Sequence, residues 1–357
     1  MVTDMKYYES PNFKETDNWE REYQYYCLVR EGQICKDNKK YIYGIPTEKN
    51  KDCIKKINDI TEIKKENKIN TADIDVFNTC TCGVRVRFIT DSPKIIIRVG
   101  IKRVWAFKKM NLYNSSGFDF YQLIAGKYVH LTVTGPRQGE AFFSDEICVV
   151  PNEPIEIYFP NYNSVTDFVI GILQGKKISE TSKYKIADPV IFYGNSITQG
   201  ASASRSGNAF ANIVSRKLDC DILNYSFSGA CKGEKKMAEI ISAQKMSAMV
   251  IDYSRNAKTI EEFGSRYPIF YNVIRQAHPY VPIVLLGGFL IGQEYEEIIF
   301  QLYEKEARNG KNIFYISQNE LFRNEDELYL SIDFTHYTDM GMYRVADSIV
   351  SLLRGRI

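Results

Sequence analysis

A serine directly follows an apolar, β-prone run in the segment IFYGNSITQG, residues 191–200. Ser196 is the side chain of this segment that could act as a nucleophile. Nucleophilic catalysis by serine also requires a general base, a group that orients the base, and hydrogen-bond donors for the oxyanion. The alternative is a helix cap, because serine is a preferred residue at helix N-termini. The rest of the chain must supply the catalytic partners.

Histidine is the expected base, and the chain has three: His130, His278 and His336. His130 alternates with the apolar face of a predicted strand and is expected on the solvent side. His278 ends a predicted helix, where a histidine can contact terminal carbonyls. His336 lies between the last predicted strand and the last predicted helix. Asp333, three residues before it, could hold the imidazole in the tautomer that accepts a serine proton; the alternative for Asp333 is a turn or helix cap.

Two further strand ends offer donors for an oxyanion. NYSFSGACKGE ends one predicted strand and carries Gly229, whose backbone N–H can face a ligand without an intervening side chain. VIDYSRNAKT ends the next strand and carries the side-chain amide of Asn256. The alternatives are a strand-to-helix turn for Gly229 and, for Asn256, a cap of the helix that begins near Thr259.

The second half of the chain alternates between strands and helices. Short apolar runs such as PVIFYG, SAMVIDY and PIVLLGGF are separated by amphipathic stretches such as NAFANIVSRKL. This order predicts an α/β fold with a parallel sheet covered on both faces and ligands at the carboxyl ends of the strands. All the candidate residues lie after such strands, so we expect them at one edge of the sheet.

The first half shows a period of two instead, from about residue 80 to 175. In CGVRVRF, for example, the apolar residues face one side while Arg85 and Arg87 face the other. Such alternation between turn residues predicts an antiparallel β-sandwich. The preceding piece KKINDITEIKKENK is either a short helix or an exposed loop. The polar segment 174–189 is the expected connection between an N-terminal domain, residues 1–180, and an α/β domain, residues 187–357.

Composition limits the classes of partner. The chain has 357 residues with 46 basic and 44 acidic side chains, a net charge of +2 that favours neither nucleic acid nor an anionic membrane. No signal-peptide pattern and no apolar run of membrane-spanning length is visible, so we expect a cytoplasmic protein as given, or a secreted one if a leader has been removed. Cys80 and Cys82 have no histidine beside them, so no zinc site is expected.

In chain order, Gly-x-Ser, a glycine, an asparagine and D-x-x-H resemble the four blocks of the SGNH (GDSL-type) hydrolase superfamily over about residues 187–357. The resemblance extends to the branch that carries an N-terminal β-sandwich, in the segments GASASRSGNAF, DYSRNAKT, SSGFDFY and YFPNYNSV. It implies a flavodoxin-like, doubly wound sheet after a jelly-roll-like sandwich. It also implies a catalytic triad and an oxyanion hole without metal or cofactor; the triad is Ser196, Asp333 and His336, and the hole is Ser196, Gly229 and Asn256.

Two positions depart from the family pattern. Asn195 stands where the family has aspartate before the serine, and the block around Asn256 reads SRN rather than the commoner G-x-N-D. Asn195 and Arg205 are candidate substrate-binding residues. For Arg205 the alternative is that it braces the loop after the serine.

The resemblance implies a serine esterase for short-chain O-acyl esters, acetyl above all, on a small-molecule or saccharide substrate. Two alternatives remain open. The same triad could transfer the acyl group to a second hydroxyl, or the protein could bind carbohydrate without catalysis.

Overall fold

The computed structural model describes residues 22–46, 55–57, 59–67, 72–103, 109–323 and 327–357. Among these residues, no helix is long and apolar enough to cross a membrane.

Two antiparallel sheets form the N-terminal domain. In chain order its strands are β1 (Tyr23–Arg30), β2 (Gln33–Ile34), β3 (Ile42–Tyr43), β4 (Arg85–Thr90), β5 (Lys94–Ile101), β6 (Phe118–Ile124), β7 (Lys127–Thr134), β8 (Phe142–Cys148), β9 (Ile155–Tyr158), β10 (Val165–Leu173) and β11 (Ile178–Ser179). One sheet has the order β2-β1-β10-β5-β8; the other has the order β11-β4-β9-β6-β7, with β3 paired to β4. The predicted antiparallel sandwich is confirmed.

The core of the sandwich lies between the two sheets. Phe118 of β6 stacks on Phe168 of β10 with ring centroids 5.1 Å apart, and Phe159 packs against both rings. The opposite face of β4 is buried as well, because it meets the second domain. There Arg85 donates to Asp221 at 2.8 Å, and the Arg87 guanidinium lies 3.8 Å from the centre of the Tyr184 ring.

A five-stranded parallel sheet forms the second domain. Its strands are β12 (Ile186–Gly194), β13 (Cys220–Ser226), β14 (Ala248–Asp252), β15 (Ile283–Leu286) and β16 (Ile313–Ile316), in the order β13-β12-β14-β15-β16. Successive strands are added on one side of β12 (β13) and then on the other (β14 to β16), which is the flavodoxin-like, doubly wound order. The α/β prediction is confirmed, and the carboxyl end of β12 lies between those of β13 and β14.

Helices cover both faces of the parallel sheet. In chain order the α-helices are α1 (Thr61–Asn67), α2 (Ala72–Asn78), α3 (Leu112–Ser115), α4 (Ser196–Gln199), α5 (Phe210–Leu218), α6 (Lys235–Ser242), α7 (Ile260–Ala277), α8 (Gln293–Arg308), α9 (Gln318–Leu321), α10 (Glu327–Leu330) and α11 (Asp339–Leu353). Residues of α5 and α11 share one apolar cluster with the sheet, and residues of α6, α7 and α8 share the other.

Part of the first half of the chain packs on the α/β domain. The segment left open between helix and loop contains α1, and Ile63 of α1 and Phe77 of α2 belong to the same buried cluster as α6 and α7. Asn67, the last residue of α1, hydrogen-bonds Glu234 beside α6. The two halves of the sequence are therefore joined by an apolar core as well as by the connection near residue 180.

Candidate active site

The loops that carry the candidate residues meet at the carboxyl edge of the parallel sheet. Gly194, the last residue of β12, pairs with Ser226 of β13 on one side and with Asp252 of β14 on the other. The ladder continues one residue further: the Asn195 N–H donates to the Asp252 carbonyl at 2.8 Å, and the Phe227 N–H donates to the Gly194 carbonyl at 3.2 Å. The serine loop therefore lies between the glycine loop and the asparagine loop.

Ser196 begins the short helix α4 immediately after β12. Asn195 is the N-cap, and its side-chain oxygen accepts from the Ile197 N–H at 2.7 Å. The tight turn explains the glycine before it, since a Cβ on Gly194 would lie 2.1 Å from Thr198 Oγ1. As the first residue of a helix, Ser196 has a backbone N–H without an intrahelical acceptor. That donor is available to a ligand.

A hydrogen-bonded chain links the predicted triad residues. Ser196 Oγ lies 2.9 Å from His336 Nε2, and His336 Nδ1 lies 3.0 Å from Asp333 Oδ2. The loop that holds Asp333 and His336 is closed by a β-bridge between Ser331 and Tyr337. The structure thus brings Ser196 together with Asp333 and His336, which lie 137 and 140 positions further along the chain.

Asp333 also shapes its own loop. Its Oδ1 accepts from the backbone N–H groups of Thr335 and His336, at 3.2 and 2.8 Å, so the carboxylate that lies beside the His336 ring also closes the turn. Its Oδ2 accepts from Lys109 Nζ at 2.9 Å. Partial burial raises the pKa of Asp333, but the hydrogen bonds from His336 and Lys109 outweigh it and hold that pKa well below its usual range. Asp333 is therefore ionised at neutral pH.

Gly229 and Asn256 lie on the two loops that flank the serine. Gly229 has φ +71° in an exposed turn, where a Cβ would meet nothing within 4 Å, and its N–H has no acceptor among the described residues. Gln199 fixes this turn by accepting from the Ser228 N–H at 2.9 Å. Asn256 Nδ2 lies 3.5 Å from the Phe227 carbonyl, which brings the amide to the glycine loop.

The capping alternative for Asn256 is wrong. The N-cap of α7 is Thr259, whose side chain accepts from the Glu262 N–H at 3.2 Å. Because Thr259 caps the helix, the half-buried side chain of Asn256 is not needed to begin it.

The two candidate substrate-binding residues both serve the protein's own structure. Asn195 is 1% exposed, and its amide nitrogen donates to Asp252 Oδ1 at 3.2 Å. Because both ends of this amide are hydrogen-bonded internally, the geometry disagrees with the prediction that Asn195 contacts substrate. Arg205 Nη1 lies 3.0 Å from the Tyr121 hydroxyl and 2.9 Å from Asn208 Oδ1, so it braces the loop after the serine.

Several supporting residues were missed by sequence reasoning. Asp119, in the segment SSGFDFY, accepts from the Gly207 N–H at 3.0 Å and lies 3.4 Å from Arg205 Nη1, so the sandwich holds the loop that follows the serine. The family resemblance includes this segment, but its sequence does not identify Gly207 and Arg205 as the partners of Asp119. Asp252 accepts from Thr198 Oγ1 at 2.7 Å, and burial raises its pKa to about 6. Lys109 left no sequence signal at all.

The remaining histidines are engaged elsewhere. His130 Nε2 lies 2.8 Å from Asp119 Oδ1, and His278 Nε2 lies 2.9 Å from the Ser242 carbonyl. Within the described ranges, no group of three or more His, Cys, Asp or Glu side chains is arranged to hold a metal ion.

Two family models match the chain. Residues 187–354 match the GDSL-like lipase/acylhydrolase family, and residues 30–178 match the GxDLY model, the N-terminus of SGNH hydrolase-type esterases. No curated protein sequence matches the chain.

Solved structures share the fold across both domains. A GDSL-like lipase from Bacteroides ovatus is 21% identical with a TM-score of 0.71, covering 94% of this chain and 98% of its own. The salicylyl-acyltransferase SsfX3 of a tetracycline biosynthetic pathway is 15% identical with a TM-score of 0.69, covering 93% and 97%. An acetyl xylan esterase, Est2A, from the rumen bacterium Butyrivibrio proteoclasticus is 14% identical with a TM-score of 0.54, covering 94% and 98%.

The two matched regions together span most of the chain and coincide with the sandwich and with the parallel sheet that carries Ser196. The chain belongs to the SGNH (GDSL-type) hydrolases, in the group whose catalytic domain follows a GxDLY N-terminal domain.

Proposed function

We propose that this protein is a serine esterase that removes short acyl groups, acetyl above all, from hydroxyls of a carbohydrate. The observation that carries the proposal is the hydrogen-bonded chain from Ser196 through His336 to Asp333, at 2.9 and 3.0 Å. At the first distance a general base can take the proton of its nucleophile, and at the second a carboxylate can orient that base.

In the first half of the reaction, Ser196 Oγ attacks the acyl carbonyl while its proton passes to His336 Nε2. Asp333 keeps the imidazole in the accepting tautomer and stabilises the imidazolium. The tetrahedral intermediate then collapses, His336 returns the proton to the departing alkoxide oxygen, and the alcohol leaves. An acyl-Ser196 ester remains.

The oxyanion needs donors that are already in place. Within the part of the chain that the structure describes, the N–H groups of Ser196, at the start of α4, and of Gly229, in its turn, have no acceptor. Asn256 extends a half-buried amide toward the loop of Gly229. Donors of this kind act on charge that develops only in the transition state. We therefore assign all three to the oxyanion hole.

In the second half, a water gives a proton to His336 and attacks the acyl-serine carbonyl. The second tetrahedral intermediate then collapses, His336 passes that proton to Ser196 Oγ, and the carboxylic acid leaves. A sugar hydroxyl in place of that water would make the same protein an acyltransferase. The fold is shared with an acyltransferase as well as with an acetyl xylan esterase. The partition between water and an acceptor is therefore measured directly in the test below.

Two observations support a saccharide ester. One of the solved structures that share this fold is an acetyl xylan esterase. In this chain, Phe334 lies between Asp333 and His336 with φ +60° and is 61% exposed, which leaves an aromatic ring open beside the triad. An aromatic ring offers an apolar surface to the C–H face of a sugar.

The test compares wild type with Ser196→Ala on 4-nitrophenyl acetate and on a panel of acetylated saccharides, with and without a free acceptor sugar. The expected loss of kcat/KM is about three decades or more, since the covalent route disappears. Ser265→Ala, a surface change on α7, is the matched control for a serine-to-alanine substitution away from the site and should match wild type.

Three outcomes would count against the proposal in different ways. Retention of more than about a tenth of the activity in Ser196→Ala would remove Ser196 as nucleophile. Acyl transfer to the added sugar in preference to water would make the protein a transferase. Binding of saccharides with no turnover by wild type would favour the non-catalytic alternative.

A further inference from the structure

Besides the donors of its own loop, the triad carboxylate has a side-chain donor from the N-terminal domain. Asp333 Oδ2 accepts from His336 Nδ1 at 3.0 Å and from Lys109 Nζ at 2.9 Å. Lys109 lies in the connection between β5 and β6, 224 residues before Asp333 in the chain. The N-terminal domain therefore places a positive charge directly on the group that orients the base.

The backbone around Lys109 is held against the loop that follows the nucleophile. Asn111 Nδ2 donates to the Ser204 carbonyl at 3.0 Å, and Asn114 Nδ2 donates to the Gly200 carbonyl at 2.9 Å. Lys109 itself has φ +66°, a conformation that residues other than glycine rarely adopt. The approach of Lys109 to Asp333 is thus supported by fixed contacts on its own segment as well as by attraction between charges.

We propose that Lys109 is a positioning residue of the active site: its ammonium group holds Asp333 in place, and its charge opposes protonation of His336, so that the base stays available at lower pH. This inference rests on the proposed function of the triad. Its physical basis is that a carboxylate shared between an ammonium group and an imidazole stabilises the imidazolium less than an unshared one does.

Other charged groups lie near Lys109 and Asp333, and their effects on the pH dependence must be distinguished from that of Lys109. Asp339, at the start of α11, accepts from the Ser204 N–H at 2.8 Å. Beneath Ser196, Asp252 at the end of β14 has its pKa raised to about 6 by burial, and the charge of Arg255 acts on it. A carboxyl with a pKa of about 6 could itself contribute to the acid limb of kcat/KM. The Lys109 variants are therefore compared both in wild type and in an Asp252→Asn background.

The test uses Lys109→Met, which removes the charge, and Lys109→Arg, which keeps it. Lys40→Met is the matched control: Lys40 also lies in the N-terminal domain, is 48% exposed against 55% for Lys109, and pairs with Glu180 at 3.5 Å, away from the triad. We expect the acid limb of kcat/KM to move upward by about 0.5 to 1 pH unit in Lys109→Met only. Well below both midpoints, activity then falls about three- to tenfold further than activity at pH 8.

Salt provides a second readout, because Lys109 is half exposed and its charge is screened. Raising sodium chloride to about 1 M should move the wild-type acid limb toward that of Lys109→Met while leaving the variant's limb nearly fixed. A purely structural role for Lys109 would change thermal stability but would move neither limb.

A measurement without turnover separates this inference from the proposed function. The chain has three histidines, so the His336 ring signal can be assigned by comparison with His336→Gln and followed by NMR through a pH titration. Its midpoint should move upward in Lys109→Met. Identical midpoints and identical acid limbs in wild type and Lys109→Met would overturn the role of Lys109, whereas a shifted midpoint in a protein without esterase activity would overturn the esterase proposal alone.

Discussion

Replacing Asn195 by aspartate tests how the loop under the nucleophile is held. The Asn195 side chain caps Ile197 with its oxygen and donates from its nitrogen to Asp252 Oδ1 at 3.2 Å. Asn195→Asp keeps the cap but sets a second carboxylate against Asp252. Both positions are buried, at 1% and 2% exposure, so solvent cannot screen the pair.

The loss of unfolding free energy can be estimated for two responses of the carboxylate pair, repulsion between two charges or uptake of a proton. Two charges about 3 Å apart repel by about 5 kcal/mol at an effective dielectric constant of about 20. The pair can instead take up one proton, which costs about 1.4 kcal/mol for each pH unit above the ordinary aspartate pKa of about 3.9, or about 4 kcal/mol at pH 7. The second response is cheaper at pH 7. Wild type already bears about 3 kcal/mol of this cost there, because burial raises the pKa of Asp252 to about 6. We therefore expect Asn195→Asp to lose about 1.5 kcal/mol more of unfolding free energy than wild type at pH 7.

The sign of the pH dependence is fixed by the same argument. The folded variant holds a carboxyl whose pKa is raised above its unfolded value, so its stability is greatest below about pH 4 and is lost as pH rises. The gap between wild type and Asn195→Asp should shrink nearly to zero at pH 5, because the Asp252 carboxyl of wild type also holds a proton there. The assay is urea denaturation followed by far-UV circular dichroism from pH 5 to pH 8.

The control is the double variant Asn195→Asp with Asp252→Asn. It restores one amide donor and one carboxylate acceptor with their positions exchanged, and it should recover most of the loss at pH 7. Equal stability of wild type and Asn195→Asp at pH 7, or a loss that does not change with pH, would refute the reasoning. So would a double variant that is no more stable than Asn195→Asp.

Three further predictions concern catalysis. Asn256→Ala should lower kcat by about 10²–10³ with little change in KM, because its amide meets charge only in the transition state; a change confined to KM would make it a substrate-binding residue. Asp333→Asn should lower activity near pH 7 by about 10³–10⁴ while thermal stability stays close to wild type, because asparagine can still accept the two backbone hydrogen bonds; an active variant would leave a Ser196–His336 dyad. Exhaustive chelation should leave activity intact, and loss that zinc restores would contradict the metal-free mechanism.

The order of elements and the edge that carries the site could be predicted from the sequence. Parallel strands end at one edge of a sheet, so apolar runs that each end in a candidate side chain place Ser196, Gly229 and Asn256 together by geometry alone. Asp333 and His336 are close because they lie three positions apart in one loop. These relations depend on local periodicity and on short spacings, which a single sequence records directly.

What covers each surface was decided only by the tertiary structure. The alternation in CGVRVRF assigns Arg85 and Arg87 to one face, but their burial comes from Asp221 of the α/β domain and from Tyr184 of the connection that precedes it. Lys109 reaches Asp333 across 224 residues. A half-exposed lysine fits many surfaces at little cost, and its partner lies at no fixed spacing, so neither pattern nor propensity could reveal the contact. Such contacts are set by how two already folded domains pack, and for that reason they become visible only when the whole chain is folded.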